Sequence, residues 1–447
     1  QGRRKRIKKR MNKLTVIGGG LAGCEAAYAA ANRGIEVELI EMKPARKTAA
    51  HKSDYLAELV CSNSLKAARV DSAAGLLKEE MRRLGSVCLA AADKSAVAAG
   101  GALAVDRDIF SKLITEKIKS HPNITVTERL VTEIPQGGVT VIATGPLTDD
   151  ALAEKLAGLC EGGNLSFYDA AAPIVTAESV DMSKAFFASR YDKGGDDYIN
   201  CPMNKEEYTA FYRELINAES APLHGFDKAP NVYEGCMPVE VLAKRGEDSI
   251  RFGPLKPVGL RDPRTGHRPW AAVQLRRENA AATLFNIVGF QTNLKFSEQK
   301  RVFSMIPGLE NAEFMRYGVM HRNTFINSPK LLNRNLSLKT DKNIFIAGQL
   351  SGVEGYMESA ASGIIAGINA AAEITGEKPL VLPETTMTGA LLSYITNPLT
   401  ENFQPMGANF GIIPPLETHI RDKRERYAAL AARALGILAD NIKTEEM

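Results

Sequence analysis

Three groups of residues in this 447-residue sequence could do chemistry. The first is the run GGGLAG at 18–23, holding Gly18, Gly19, Gly20 and Gly23, with Glu41 further on. The spacing is that of a dinucleotide fingerprint. Gly18 allows the turn, Gly20 lets backbone approach a pyrophosphate, and Gly23 lets a helix pack on a strand. A helix N-terminus then faces the phosphates, and Glu41 can accept from a ribose hydroxyl. The second group is a pair of later turns, Thr144-Gly145 and Gly348-Gln349, the latter leading into Gly355-Tyr356. The third is six cysteines: Cys24, Cys61, Cys88, Cys160, Cys201 and Cys236. They lie far apart, with no C-x-x-C and no Cys/His spacing for zinc, so no metal is expected and thiol chemistry stays open.

The elements that must position these groups follow from periodicity. Lys13 to Ile17 reads as a strand, Cys24 to Asn32 as a helix, and Ile35 to Ile40 as a second strand ending at Glu41. Asp106 caps a helix over 107–119, and strands follow at 124–128 and 139–143. After residue 190 the alternation gives way to a mixed, turn-rich stretch. It returns with a strand at 343–347 and a long helix over 357–373; an amphipathic helix over 421–439 closes the chain. The class is α/β: a Rossmann-like FAD-binding domain (11–190 and 331–447) with an inserted mixed α/β domain (191–330), after a basic extension at 1–10.

One fingerprint does not choose between NAD and FAD. The late strand ending in Gly348 brings the chain back to the ligand, and the helix after it aims its N-terminus where negative charge develops on reducing a flavin. FAD is therefore expected. With a single G-x-G-x-x-G, a nicotinamide reductant would visit the flavin transiently.

Composition is that of a folded globular chain: 45% hydrophobic and 24% charged residues exclude collagen-like, coiled-coil and disordered classes. The formal charge of +4, less the seven cations among the first ten residues, leaves −3, so polyanion affinity must come from local patches or that tail. The longest apolar-looking stretch, 87–105, is broken by Asp93 and Lys94, too short for a membrane span. A cytoplasmic setting is expected.

The segments GGGLAGCEAA (18–27), CSNSL (61–65), GGALAVDR (100–107), ATGPLT (143–148), YEGCMPVE (233–240), GFQTNLK (289–295), MHRNTFINSP (320–329) and GVEGYMESAASG (352–363) occur in the order seen in one family. The chain resembles TrmFO, the folate- and FAD-dependent methyltransferases that form 5-methyluridine at position 54 of the tRNA T-loop. The larger MnmG flavoproteins share the first segment, but 447 residues leave little room for their C-terminal helical region. The resemblance implies FAD as methylene and hydride carrier, methylenetetrahydrofolate as carbon donor, NADPH or NADH as reductant, and tRNA as partner. It also implies that Cys236 attacks C6 of the uracil and that Cys61 stands by the flavin methylene.

The residues themselves add context. Cys236, between Gly235 and Met237-Pro238, reads as lying at a strand end or loop, just before nine Lys or Arg in 244–277 faced by three acids. Ser62, Asn63 and Ser64 suit a hydrogen-bonded turn after Cys61. Cys24, Cys88, Cys160 and Cys201 read as buried hydrophobes, with Cys201, beside Pro202, also open to an exposed reading. Tyr356 reads as a ring stacked on flavin or pterin, or as ordinary packing; Glu354 and Glu358 as solvated or first-turn acids. His51, His224, His267 and His321 read as structural or surface residues, His321 also as a substrate contact. The 244–277 stretch with Trp270, the segment near Arg322, Lys330 and Arg334, and the helix at 421–426 are candidate RNA contacts. Three other readings stay open: the same chemistry on a 23S rRNA uridine, a non-methylating flavoprotein oxidoreductase, and a noncatalytic tRNA-binding flavoprotein. The sequence does not specify an oligomeric state.

Overall fold

The computed structural model describes residues 13–48, 51–158, 165–192, 195–222, 237–318, 320–400 and 403–446. The basic extension, Cys160, His224 and Cys236 lie outside the described residues, as do the side chains of His321 and Arg322. The main sheet draws on β1 (Lys13–Ile17) and β2 (Glu36–Glu41), joined by helix α1 (Leu21–Ala31). Next come β3 (Ser64–Ala67), α2 (Ala73–Arg83), β4 (Ala96–Val97), β5 (Ala102–Val105), α3 (Arg107–Lys119), β6 (Ile124–Glu128) and β7 (Val139–Ile142). The remaining strands are β8 (Leu165–Ala170), β9 (Ile174–Thr176), β10 (Phe186–Phe187), β11 (Tyr198–Met203), β12 (Ala271–Arg277), β13 (Leu284–Ile287), β14 (Phe314–Arg316), β15 (Met320–Phe325) and β16 (Ile344–Ile346). Helices α4 (Tyr356–Thr375) and α5 (Lys423–Glu446) complete the framework.

The order β16-β7-β1-β2-β6 forms a five-stranded parallel sheet. Its strands are apolar on both faces: Leu14, Val16, Leu39, Val141, Phe345 and Ile346 are all fully buried. A parallel sheet covered by helices on both faces requires such continuous apolar runs. α1 and α4 cross against each other at close range. A Cβ on Gly363 would lie 2.2 Å from the Ala22 carbonyl oxygen and one on Gly367 2.3 Å from that of Ala26. Only glycine lets the two backbones meet there.

The second sheet is antiparallel, in the order β10-β11-β12-β13-β9-β14, over its own apolar core of Phe211, Phe285, Phe290, Phe303 and Leu275. β9 and β10 precede residue 191, so this sheet begins upstream of the division expected at 190/191. Strands of three and two residues are too short to show a period-two pattern. A two-stranded ribbon pairs β8 with β15.

Candidate active site

A cleft of about 470 Å³ opens at the carboxyl ends of β1, β2, β7 and β16, the edge at which parallel α/β sheets bind ligands. Gly18, Gly19 and Gly20 line it together with Glu41, Thr144 and Gly145; from the late crossing come Gly348, Gln349, Gly355 and Tyr356, and from the 61–66 segment Cys61. The second sheet, through Arg276 and Asn286, and the turn after β13, through Gln291, close it from the other side.

Each fingerprint glycine has a distinct reason. Gly18 adopts φ +99°, the left-handed region, and a Cβ there would sit 2.6 Å from the Ala143 carbonyl oxygen. Gly23 stands behind the cleft, where a Cβ would fall 1.8 Å from the Gly18 carbonyl. A Cβ on Gly20, by contrast, would meet nothing within 4 Å. That open space lies at the N-cap of α1, where unpaired N–H groups and the helix dipole favour an anion. Glu41 is buried and accepts from Gly19 N at 2.6 Å and Lys43 N at 3.0 Å. Two of the four lone-pair sites of its carboxylate are thus used.

Cys61 is half-buried at the start of a turn that is tied on every side. The Tyr356 hydroxyl oxygen accepts the N–H groups of Cys61 (2.7 Å) and Ser62 (3.2 Å). Burial, with Cys61 next, pushes that phenol well above its usual range. The fully buried Asn63 carboxamide donates to Val105 O at 3.0 Å and Arg277 O at 2.9 Å. Arg276 donates to Asn63 Oδ1 at 3.0 Å and Ser62 Oγ at 2.9 Å. Arg107 donates to Leu59 O at 2.7 Å and Cys61 O at 3.3 Å, and Arg316 to Val60 O. Sequence reading missed this role of the arginines, because they lie 46 or more positions from the turn and no local spacing links them to it.

Two buried polar atoms on the cleft wall have no partner within the described residues: Asn286 Nδ2 and Glu358 Oε2. Groups this buried are normally satisfied, so both suit a ligand. Glu358 and Glu354 are buried, not solvated: Glu358 pairs with Lys66 at 2.6 Å, and Glu354 accepts from Gln349 Nε2 at 2.7 Å. Lys66 of β3 and Ala408 N reach Glu358, and Glu354 N donates to Met406 O, so β3 and the 406–408 segment lie over the two acids. Gly355, at φ +123°, leaves room for that pair: a Cβ would lie 2.2 Å from Glu358 Oε2.

The other described cysteines are inert by environment. Burial pushes the Cys24 and Cys88 thiols far up and that of Cys201 to about 12. The exposed reading of Cys201 is therefore corrected: β11 turns its side chain into the second core, where it is fully buried. His51 lines the cleft, with burial and Lys43 pulling its pKa below the usual range. The basic stretch is partly structural as well. Arg276 is buried, Arg251 lies 3.8 Å over Trp270, and Arg264 pairs with Asp262 at 2.8 Å. Arg334 pairs with Glu384 at 3.3 Å and Arg424 with Asp71 at 3.4 Å. Among the described residues no cluster of metal-ligating side chains occurs, and no helix is long and apolar enough to cross a membrane.

Comparison with known proteins places this arrangement. The family model for glucose inhibited division protein A matches residues 13–378. A methylenetetrahydrofolate--tRNA-(uracil-5-)-methyltransferase TrmFO of Lactobacillus gasseri is 57% identical over 422 residues, covering 94% of this chain and 96% of that protein. Its counterpart of the same name in Acetivibrio thermocellus is 58% identical over 429 residues, covering 96% and 98%. Among solved structures, Aquifex aeolicus GidA superposes with a TM-score of 0.70 at 18% identity, over 96% of this chain and 76% of that one, which supports the fold. With relatives this similar along nearly its whole length, the chain belongs to the TrmFO family of GidA-like proteins.

Proposed function

We propose that this chain methylates C5 of a uridine in tRNA, position 54 of the T-loop, with methylenetetrahydrofolate as carbon donor and NADPH or NADH as reductant. The observation that carries this is the 57% identity, over 94% of the chain, to a protein named for that reaction. The cleft suits FAD. Open space over Gly20 at a helix N-terminus accommodates a pyrophosphate, Glu41 retains acceptor capacity for a ribose, and Asn286 Nδ2 and Glu358 Oε2 await polar partners. Bound there, FAD would supply the two-electron chemistry that turns a transferred methylene into a methyl group.

The chain's own residues divide the remaining work. Cys236 is assigned as nucleophile: its sulfur bonds to C6 of the uracil, which makes C5 electron-rich enough to take the methylene. After C5 has lost its proton and the methylene has taken a hydride, the C6–S bond breaks and C5=C6 re-forms. Just beyond it, Val239 N donates to Gln291 O at 2.7 Å, and Gln291 lines the cleft. Cys61 is assigned to the carbon-donor side, held in place by Tyr356, Asn63 and the arginines. Reaching C5 requires the base out of its stack, which a loop nucleotide permits at low cost. Phosphate contacts fall to cations outside the structural pairs above, among them Lys256, Arg268 and Lys330.

The test is Cys236→Ala. Methyl transfer from methylenetetrahydrofolate to unmodified tRNA should vanish while the protein keeps its yellow colour. Full activity in that variant would remove Cys236 as nucleophile.

A further inference from the structure

Three guanidinium groups converge on the five-residue segment around Cys61, and they come from three separate places. Arg107 opens α3, Arg276 lies on β12 and Arg316 on β14. Between them they take the carbonyls of Leu59, Val60 and Cys61 and the side chains of Ser62 and Asn63. The acid that answers them is Glu278, buried at 4% exposure and ion-paired with Arg107. Among the described residues, the other acids near the turn are engaged elsewhere, Glu358 with Lys66 at 2.6 Å. Asp106 spends its carboxylate on Asp108 N, Ile109 N and Ala280 N, at 2.9–3.1 Å. Glu58 pairs with Lys43, and Tyr356 holds its phenol proton. Among the described residues, three guanidinium groups and one carboxylate are thus gathered at the turn.

We infer that Arg107, Arg276 and Arg316, gathered by Glu278, form an electrostatic seat that both positions Cys61 and holds its sulfur as thiolate. The inference rests on the assignment of Cys61 to the cleft chemistry and deepens it. A thiolate is the reactive form of cysteine, and neighbouring guanidinium groups favour it over the thiol. Arg316 and Cys61 act on each other electrostatically, the thiolate partly offsetting the loss that burial imposes on the Arg316 charge. Two of the three arginines belong to the second sheet, so the seat also ties the placement of that sheet to the reactivity of the thiol. The arginines and Glu278 are positioning residues in this account.

The experiment measures the rate at which iodoacetamide labels the Cys61 peptide in the flavin-bound protein, by mass spectrometry, from pH 6 to 9.5. Among the described cysteines, Cys24, Cys88 and Cys201 are buried, and the Cys160 and Cys236 peptides are quantified separately. Arg316→Gln should slow labelling at pH 7 about tenfold, with the rate recovering by pH 9.5. Arg316→Lys, which keeps the charge, should stay within about threefold of wild type. Glu278→Gln removes the counter-charge and should speed labelling at pH 6. A purely structural role would move Arg316→Gln and Glu278→Gln in the same direction, by loosening the turn, and would overturn the inference. So would a wild-type rate at pH 7 in Arg316→Gln. If Arg316→Gln does not fold, the opposite signs are sought in Arg107→Gln and Glu278→Gln. Labelling is read on the peptide, not on methyl transfer. Failure of the proposed reaction and failure of the seat are therefore seen separately.

Discussion

The two walls of the cleft are built on different principles. The nucleotide wall is mostly local: Gly18, Gly20, Gly23 and Glu41 span 24 residues, Gly23 fits against Gly18 and Glu41 against Gly19, and Gly18 backs onto a distant strand end, at Ala143. The thiol wall is assembled from afar. The Cys61 turn is held by Tyr356, by Arg276 and by Arg316, partners 295, 213 and 256 positions away in the contacts they make. The first wall depends on the absence of side chains, the second on a full set of hydrogen bonds. Steric exclusion should therefore be all-or-none there, whereas the thiol wall should degrade in steps.

The largest effect should come from Gly23→Val. With a Cβ forced to within 1.8 Å of the Gly18 carbonyl, α1 cannot stay packed on β1. A loss above about 4 kcal/mol is expected, seen as failure to fold or to retain flavin colour. On the thiol wall, Asn63→Ala should cost about 2–4 kcal/mol, because it strands Arg276 and two carbonyls in a buried site. Denaturant unfolding checks this, with flavin content expected to fall far less than in Gly23→Val. Tyr356→Phe removes one acceptor shared by two N–H groups, and about 1–2 kcal/mol is expected by the same measurement.

A fourth outcome concerns pH. Lys78 is fully buried, donates to Leu65 O at 2.7 Å, and has its pKa pulled down to about 8, chiefly by burial. Between about pH 8 and 10.5 the folded chain has released a proton that the unfolded chain still holds. Stability should therefore rise with pH across that window, and Lys78→Met should remove this part of the rise. Thermal unfolding of both proteins at pH 7.5 and 10 measures the difference. The smallest effect belongs to the surface: Arg424→Ala breaks an exposed pair with Asp71 and should change stability by less than about 0.5 kcal/mol.

The same contrast explains what could be read in advance. The helix at 107–119 and the strand at 124–128 stand where capping and periodicity put them, because a side-chain cap and an apolar alternation are local signals. The parallel sheet and its late return through β16 were legible for the same reason. β9 and β10 were not, being too short to carry a period, so the second sheet starts earlier than expected. Within the cleft, glycines and turns were legible from spacing. The burial of Glu354 and Glu358, the role of Asn63 and the convergence of three arginines were not, since most of these contacts join residues from 42 to 292 positions apart and leave no mark on neighbouring residues. Arg276 shows the cost: counted among the nine cations of a candidate RNA-contact stretch, it is a buried donor to the Cys61 turn.

The account stands or falls on chemistry done in this one cleft. The direct measurement is nucleoside mass spectrometry of unmodified tRNA after incubation with the purified protein, methylenetetrahydrofolate and NADPH. One 5-methyluridine per tRNA, at position 54, is predicted, together with none from Cys236→Ala at equal flavin content. No 5-methyluridine from the wild-type protein, or an equal yield from the variant, would contradict it.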